Sequence, residues 1–160
     1  MKTIIIVSSY HHKNTEKVAK RIAEVLGAQV VSPQQIKPLE LQDYDLIGFG
    51  SGIYDAKHHL KLLELADHLP PSKGKRVFLF STDGMPRALV KSETMLADKM
   101  REDHKTLREK LQAKGYVVAG EFGCAGFNTN SLLKLFGGIN KGRPNENDLS
   151  LSEAFARKLK

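Results

Sequence analysis

The run Ser8-Ser9-Tyr10-His11-His12-Lys13-Asn14-Thr15 has the residue types and spacing of a phosphate-binding loop. It follows an apolar strand pattern and precedes an amphipathic helix pattern. Such a junction directs backbone N–H groups and the positive end of the helix dipole at one point. Hydroxyls, imidazoles, an amide and an ammonium fill the run, and no acidic residue precedes Glu16. These groups suit an anion and are wrong for a divalent cation, which prefers carboxylate ligands.

Within this run, Asn14 and Thr15 are expected to cap the helix and to offer donors to phosphate oxygens. Lys13, with His11 or His12, adds positive charge. The alternative interpretation is a simple helix cap with exposed histidines. The run has neither the glycine pattern of nucleotide P-loops nor that of dinucleotide-binding folds, so it does not identify a ligand by itself.

Two further loops carry residues suited to a planar ligand. Phe49-Gly50-Ser51-Gly52-Ile53-Tyr54 contains glycines that permit a tight turn and a close backbone approach, and its tyrosine supplies a flat face for stacking. Ser81-Thr82-Asp83-Gly84-Met85-Pro86 is polar and can hydrogen-bond the edge of a heterocycle. Each loop alone is also compatible with an ordinary turn. Cys124 is interpreted as a small buried filler near the end of a strand.

Short apolar runs predict the strands that must position these loops. The predicted strands are Thr3–Ser8, a weaker Gln29–Ser32, Asp45–Gly50, Arg76–Ser81 and Tyr116–Phe122. Amphipathic stripes between them predict helices from Thr15 to Gly27, around Leu62–Leu69, and over Leu96–Leu111. A last helix is expected to begin near Ser150, because Ser150 and Glu153 have capping-box spacing. The segment with Pro33 and Pro38 leaves room for at most one helical turn.

Strands alternating with helices predict an α/β protein with a doubly wound parallel sheet, right-handed crossovers and helices on both faces. In such a sheet the ligand binds beyond the carboxyl ends of the strands. The unusual residues all follow predicted strands, at Ser9–Thr15, Ser51–Tyr54, Thr82–Gly84 and Cys124–Phe127. We therefore expect one site at this edge of the sheet.

Composition limits the class of protein. The 160 residues contain no linker-like stretch, so residues 1–160 are expected to form one domain. No apolar segment approaches the roughly 20 residues of a membrane-spanning helix, and the N-terminal apolar run reads as a strand rather than a signal peptide. The single cysteine suits a reducing, cytoplasmic location. The net charge of +7 fits an acidic protein partner, whereas the alternation of basic and acidic residues argues against nucleic acid.

Taken together, these motifs resemble the flavodoxin family over nearly the whole chain. Ser9–Glu16 resembles its phosphate loop, Tyr44–Ser51 the strand entering its first flavin loop, and Ser81–Gly84 its second flavin loop. Gly120–Phe122, Gly126-Phe127 and Gly137–Asn145 resemble a particular flavodoxin-like subgroup. The chain departs from the family pattern at Lys13, which replaces the usual glycine, and at the two histidines, which replace threonines. Tyr54 is the one clear aromatic candidate for stacking, and the chain is basic where typical electron-carrier flavodoxins are acidic.

The resemblance implies a five-stranded parallel sheet in the order 2-1-3-4-5 and FMN bound without a covalent bond. It implies that the phosphate binds to Ser9, Tyr10, His11, His12, Lys13, Asn14 and Thr15. It places the isoalloxazine between Ser51, Gly52, Ile53 and Tyr54 on one side and Ser81, Thr82, Asp83 and Gly84 on the other. The expected function is electron transfer to redox partner proteins, with FMN cycling between oxidised, semiquinone and hydroquinone states. We predict that a backbone carbonyl near Gly52 turns toward flavin N5 on reduction, because glycine makes a peptide flip inexpensive.

Other functions remain open or are disfavoured by particular residues. The main alternative is a flavodoxin-like FMN oxidoreductase acting on a quinone, a porphyrinogen or a similar small substrate, with Ala125–Arg143 overlying the flavin. A phosphoacceptor receiver domain needs an aspartate at the end of the third strand, where this chain has Ser51. A cysteine phosphatase needs an arginine six residues after Cys124, and that position is Asn130.

Overall fold

The computed structural model describes residues 1–10 and 12–160, and residues 131 and 132 by their backbone alone. His11, one of the predicted phosphate-loop residues, lies outside the described residues. The strands are β1 (Thr3–Ser8), β2 (Gln29–Val31), β3 (Leu46–Tyr54), β4 (Lys57–His58), β5 (Arg76–Asp83) and β6 (Val117–Ala125). The α-helices are α1 (Asn14–Leu26), α2 (Leu60–His68), α3 (Glu93–Ala113) and α4 (Glu146–Leu159). Short 3₁₀ helices lie at Pro33–Gln35, Pro38–Asp43, Arg87–Leu89 and Ser131–Phe136.

The strands form a parallel sheet in the order β2-β1-β3-β5-β6, with the short β4 pairing antiparallel to the end of β3. With β4 set aside, this is the predicted order 2-1-3-4-5, so the predicted fold class is confirmed. β4 has only two residues, and its sequence Lys57-His58 carries no strand pattern. It forms because Asp55 and Ala56 turn the chain back with positive φ angles of 49° and 56°.

Three strands extend further toward the site than the apolar pattern predicts. β3 ends at Tyr54 rather than at Gly50, β5 at Asp83 rather than at Ser81, and β6 at Ala125 rather than at Phe122. The parallel pairing continues through polar positions, because backbone hydrogen bonds hold the ladder whatever the side chains are. The strand ends themselves therefore contribute to the site.

The helices cover both faces of the sheet, as predicted. On one face α1 and α4 pack on a core with Phe78 and Phe80, and on the other α2 and α3 pack on a core with Leu79. Two glycines of β3 make room for the aromatic rings. A Cβ at Gly48 would lie 2.3 Å from the ring of Phe78, and one at Gly50 would lie 2.1 Å from that of Phe80. These contacts fix β3 against β5 and so position the two loops that follow them.

Two helix predictions were wrong. α4 begins at Glu146, because Asn145 and Asp148 form a capping box, with Asn145 Oδ1 accepting from the amide of Asp148 at 3.0 Å. Ser150 therefore lies inside the helix, and its spacing to Glu153 is not a cap. The connection from β2 to β3 also holds more than one turn, since each of its prolines opens a separate 3₁₀ helix.

None of the described helices is long and apolar enough to cross a membrane.

Candidate functional site

A narrow cleft lies at the carboxyl ends of β1, β3, β5 and β6, where the sequence predicts the site. It encloses about 410 Å³ of empty space, including its open mouth. Its lining residues come from the ends of β3 and β5 and from the segments after β1, β5 and β6: Ser9, Tyr10, Asn14, Thr15, Gly52, Ile53, Tyr54, Thr82, Asp83, Gly84, Gly126, Phe127, Asn128 and Asn130. The parallel arrangement brings these loops together although they are up to 121 residues apart in the sequence, counted from Ser9 to Asn130.

The N-terminus of α1 forms one end of the cleft. Lys13 occupies the N-cap position in the left-handed region, with a φ of 52°, and its side chain makes no capping hydrogen bond. This conformation explains why a glycine is the usual residue at this point of the resembled phosphate loop, because glycine adopts it without steric cost. The first-turn amides of a helix have no acceptor within it. Together with the helix dipole they provide donors for an anion.

Asn14 and Thr15 do not cap α1 as the sequence suggested; they join its first turn to neighbouring loops. The Asn14 amide nitrogen donates to the carbonyl of Phe127 at 2.8 Å, and the Thr15 and Thr82 hydroxyls lie 2.8 Å apart. Both side chains are buried. Asn14 Oδ1 is also buried and has no hydrogen-bond partner among the described residues. The cleft therefore contains an acceptor that a bound molecule can satisfy.

Aromatic rings form one wall of the cleft. The ring of His59 lies 4.8 Å from that of Tyr10 and 5.5 Å from that of Tyr54, and the Lys61 ammonium lies 5.4 Å from the Tyr10 ring centroid. Burial, and next the charge of Lys61, lowers the pKa of His59, although Glu64 opposes the shift. Burial, and next Tyr10, raises the pKa of Tyr54. The wall thus presents the faces of aromatic rings to a planar ligand.

The end of β5 contributes a carboxylate, that of Asp83, which Arg87 neutralises. Asp83 accepts two hydrogen bonds from the guanidinium of Arg87, at 2.9 and 2.8 Å, and a third from the amide of Met85 at 2.9 Å. These three hydrogen bonds therefore hold the carboxylate against neighbouring groups of its own segment, Met85 and Arg87. Gly84 permits a close approach across the cleft, since a Cβ there would lie 2.3 Å from Asn128 Nδ2.

The loop after β6 completes the cleft; the sequence singled out Cys124–Phe127 there, and Ala125–Arg143 only under the alternative function. Asn128 pairs with Ile139 through two backbone hydrogen bonds of 2.9 and 2.8 Å, which hold the glycine-rich segment beside the site. His12 Nε2 lies 2.8 Å from the Thr129 hydroxyl, and its ring lies 4.6 Å from that of Phe127. Two asparagines of this loop line the cleft, Asn128 and Asn130, and no pattern in the sequence singled them out individually.

Among the described residues, four that were predicted to bind the cofactor do not line the cleft. His12 and Lys13 are exposed at the start of α1 and do not line the cleft. Ser51 and Ser81 lie beneath it, with only 0% and 2% of their surfaces exposed. Their hydroxyls contact buried histidines: Ser51 Oγ is 2.9 Å from His58 Nδ1, and Ser81 Oγ is 2.8 Å from His104 Nε2.

The sequence did not predict this buried layer, which consists of Ser51, Ser81, His58 and His104. The His58 and His104 rings lie 4.7 Å apart, and His104 Nδ1 lies 2.8 Å from a carboxylate oxygen of Glu121, which Arg108 also contacts. Burial acts to raise the pKa of Glu121, but hydrogen bonds from His104 and Arg108 outweigh it and leave that pKa below its usual value. Burial, and next the nearby His104, holds the pKa of His58 well below 6.5. The feature of the sequence that could have indicated this layer is the pair of adjacent histidines, His58-His59, that follows the Tyr54 loop.

Cys124 is buried, and burial raises the pKa of its thiol. This agrees with its interpretation as a small packing residue. Within the described part of the chain, no group of three or more His, Cys, Asp or Glu side chains is placed to hold a metal ion.

Comparisons with known proteins agree with this architecture. The family model described as a flavodoxin domain matches residues 4–129. An uncharacterized protein of Methanocaldococcus jannaschii is 43% identical over 159 residues, which cover 99% of this chain and 98% of that protein. The structure of oxidised flavodoxin 2 from Bacillus cereus superposes with a TM-score of 0.70 at 19% identity, covering 99% of this chain and 97% of that one. A flavodoxin from the domain Archaea gives a TM-score of 0.64 at 20% identity, with 99% and 96% covered. At these identities the two superpositions show the fold.

Proposed function

The chain belongs to the flavodoxin family, whose cofactor is FMN, and from this premise we propose that it transfers electrons between redox partner proteins. The observation that carries the proposal is the cleft itself. Four strand-end loops and the N-terminus of α1 converge on a single narrow space.

The residues of the cleft fit FMN. The first-turn amides of α1, which have no acceptor within the helix, suit a phosphate. Asn14 Oδ1 is buried without a hydrogen-bond partner among the described residues, and it suits a hydroxyl or N–H donor of the ligand. The aromatic wall formed by Tyr10 and Tyr54 suits a flat ring system. Among the described lining residues the one carboxylate is that of Asp83, and Arg87 neutralises it, so the site does not repel an anionic ligand.

The chain's residues have separable tasks toward this ligand. We assign the phosphate to the start of α1 and the isoalloxazine to the space between Gly52–Tyr54 and Thr82–Gly84. FMN supplies one- and two-electron redox chemistry when bound, and the surrounding protein charges set its potential. On reduction of bound FMN a backbone carbonyl near Gly52 would turn toward it, and we assign this turn to the Gly52 peptide because glycine tolerates both peptide orientations.

Purification followed by a visible spectrum and a dithionite titration tests this function. We expect a yellow protein, or one that turns yellow on adding FMN, and a distinct one-electron intermediate during the titration. A colourless protein that takes up no FMN would refute the proposal.

A second candidate function is the reduction of a small substrate such as a quinone or a porphyrinogen. A groove of about 850 Å³ adjoins the cleft, shares Tyr10 and Tyr54 with it, and is mostly apolar, with Leu60 and Leu63 in its wall. Such a groove can hold an aromatic substrate beside the flavin. Direct two-electron reduction without an intermediate, together with repeated turnover of an added quinone, would favour this function over electron transfer.

The charge of the chain suggests the chemistry of its partner. A net charge of +7 favours fast association with an acidic redox protein, and this attraction weakens as salt increases. The free, buried Cys124 suits a reducing compartment, and we propose the cytoplasm.

A further inference from the structure

The Ser51 hydroxyl, in the layer beneath the cleft, has three close neighbours. Its oxygen lies 2.7 Å from the carbonyl oxygen of Gly52, 2.9 Å from the backbone nitrogen of His59 and 2.9 Å from His58 Nδ1. Ser51 is fully buried, and it does not line the cleft. The Gly52 carbonyl is therefore held by a buried hydroxyl, although Gly52 itself lines the cleft.

The roles in these three contacts follow from the number of protons. A hydroxyl has one proton to donate and two lone pairs that accept. The Gly52 carbonyl can only accept, so it takes the hydroxyl proton, and the His59 amide can only donate. For all three contacts to be hydrogen bonds, His58 must donate, which places the proton of its neutral ring on Nδ1.

The other nitrogen of His58 agrees with this assignment. His58 Nε2 is buried and has no hydrogen-bond partner among the described residues. If Nε2 is unprotonated, its lone pair lacks a donor; if it is protonated, its N–H lacks an acceptor. A buried N–H without an acceptor is rare in protein interiors, so the unprotonated form of Nε2 is favoured. Among the described residues, the polar groups found against the His58 ring are the Ser51 hydroxyl on β3 and the His104 ring on α3, and neither is a carboxylate that would favour a charged imidazole.

We propose that Ser51, oriented by the Nδ1–H form of His58, acts as a positioning residue that holds the Gly52 carbonyl away from the cleft and so opposes reduction of the flavin. This inference rests on the proposed function, since the Gly52 peptide is the one we assign to the flavin. When that peptide turns, the Ser51 hydroxyl loses its acceptor. Its two other neighbours are donors, so a buried O–H is left unsatisfied, which is costly. The chain thereby favours the oxidised state.

The first test reads the proton on His58 directly. In protein labelled with ¹⁵N-histidine, NMR shifts of the ring nitrogens report which nitrogen is protonated, and His58→Asn assigns the signal by removing it. We expect a neutral ring with the proton on Nδ1, in protein with or without FMN. A proton on Nε2, or a charged ring near neutral pH, would overturn the inference and leave the proposed function standing.

The second test measures the potential of the first one-electron step in FMN-loaded protein. Ser51→Ala removes the hydrogen bond from the Ser51 hydroxyl to the Gly52 carbonyl, which exists only before the peptide turns. It also removes the hydrogen bonds to His58 and His59, but these are lost equally in both orientations of the peptide and do not change the equilibrium between them. We expect the equilibrium to shift about three- to tenfold toward reduction, the upper end being about 59 mV for a one-electron couple.

Ser152→Ala is the matched control for this measurement. Ser152 is also 0% exposed, and its hydroxyl also donates to a backbone carbonyl at 2.7 Å, that of Leu149, but it lies on α4. We expect no change of potential. If Ser51→Ala does not fold, Ser51→Cys keeps the shape with a weaker donor and should shift the potential less, in the same direction.

The outcomes separate the two proposals. Equal potentials in wild type and the Ser51 variants, or equal shifts in the Ser51 and Ser152 variants, would overturn the positioning role while FMN binding stands. Failure of the protein to take up FMN would overturn the proposed function and the redox part of this inference, whereas the proton position on His58 would still be decided by NMR.

Discussion

Gly126 lies where the loop after β6 meets the start of α1, and it has no room for a side chain. A Cβ there would lie 2.8 Å from Asn14 Nδ2 and 3.2 Å from Thr82 Cβ. Gly126→Ala should displace Asn14 and break its bond to the Phe127 carbonyl. Because Asn14 Oδ1 would move with the side chain and no longer meet a donor of the bound ligand, we expect FMN affinity to fall by about tenfold, the value of one hydrogen bond to the ligand, as measured by fluorescence titration.

Gly27→Ala controls for the general cost of replacing a glycine. Gly27 ends α1 with a φ of 63°, and nothing lies within 4 Å of the position that a Cβ would take there. The variant should lose about 1 kcal/mol of stability through backbone strain and bind FMN normally. Equal FMN affinity in the Gly126 and Gly27 variants would contradict the close packing of the cleft.

The ion pair between Asp83 and Arg87 should tune the flavin potential. Arg87→Gln leaves the Asp83 carboxylate uncompensated at the cleft, and a nearby negative charge disfavours adding an electron. We expect the potential to fall by on the order of tens of millivolts. Asp83→Asn, which removes the carboxylate charge and leaves that of Arg87, should instead raise the potential, and the double variant, which lacks both charges, should lie near the wild-type value. A double variant with a potential as low as that of Arg87→Gln would show that charge balance is not the cause.

At the scale of elements, two substitutions test whether α4 begins at Glu146 rather than near Ser150. Asn145→Ala removes the capping box and should cost about 1 kcal/mol of unfolding free energy. Ser150→Ala, at the start that the sequence suggested, should change it by less than about 0.5 kcal/mol. Urea unfolding of both variants measures the difference, and a larger cost at Ser150 would contradict this helix boundary.

The sequence predicted which helices and strands are present more accurately than it predicted where each begins and ends. Capping-box spacing occurs at both Asn145 and Ser150, and local pattern does not decide between them. Likewise, the apolar pattern stops at Gly50 in β3, but pairing continues because Ser51 and Gly52 lie opposite Ser81 and Thr82. Helix and strand ends are decided by capping contacts and neighbouring strands, which a single segment of sequence does not contain.

At the scale of the whole molecule, the buried histidine layer predicts acid sensitivity. The folded pKa of His58 is lowered from 6.5, so below about pH 6.5 the unfolded chain takes up a proton that the folded chain resists. Stability should therefore fall as the pH drops from 6.5 toward the folded pKa, by at most about 1.4 kcal/mol per pH unit for this group. Glu121, whose folded pKa lies below 4.5, adds a loss only at pH values below that.

Thermal unfolding at several pH values between 7.5 and 5 tests this dependence. His58→Gln should flatten the loss of stability below pH 6.5, whereas His68→Gln, which removes an exposed histidine, should leave the wild-type slope. Parallel slopes in wild type and the His58 variant would show that this ring does not resist protonation.

The sequence predicted where the cleft lies but not the buried side chains beneath it. The loops could be placed together because parallel strands end at one edge, a rule that needs only their order. The contacts of Ser51 and Ser81 could not, since they depend on β4 and α3 bringing His58 and His104 beneath that edge. His104 is 23 residues from Ser81, and its helix gives no sign of which residue faces the sheet edge.

The central claim is that the start of α1 holds the phosphate of FMN. Isothermal titration of cofactor-free protein with FMN and with riboflavin, which lacks the phosphate, tests it directly. Two charge-assisted hydrogen bonds to first-turn amides should make FMN bind on the order of a hundredfold more tightly than riboflavin. Equal affinities for the two flavins, or no binding of either, would contradict the account.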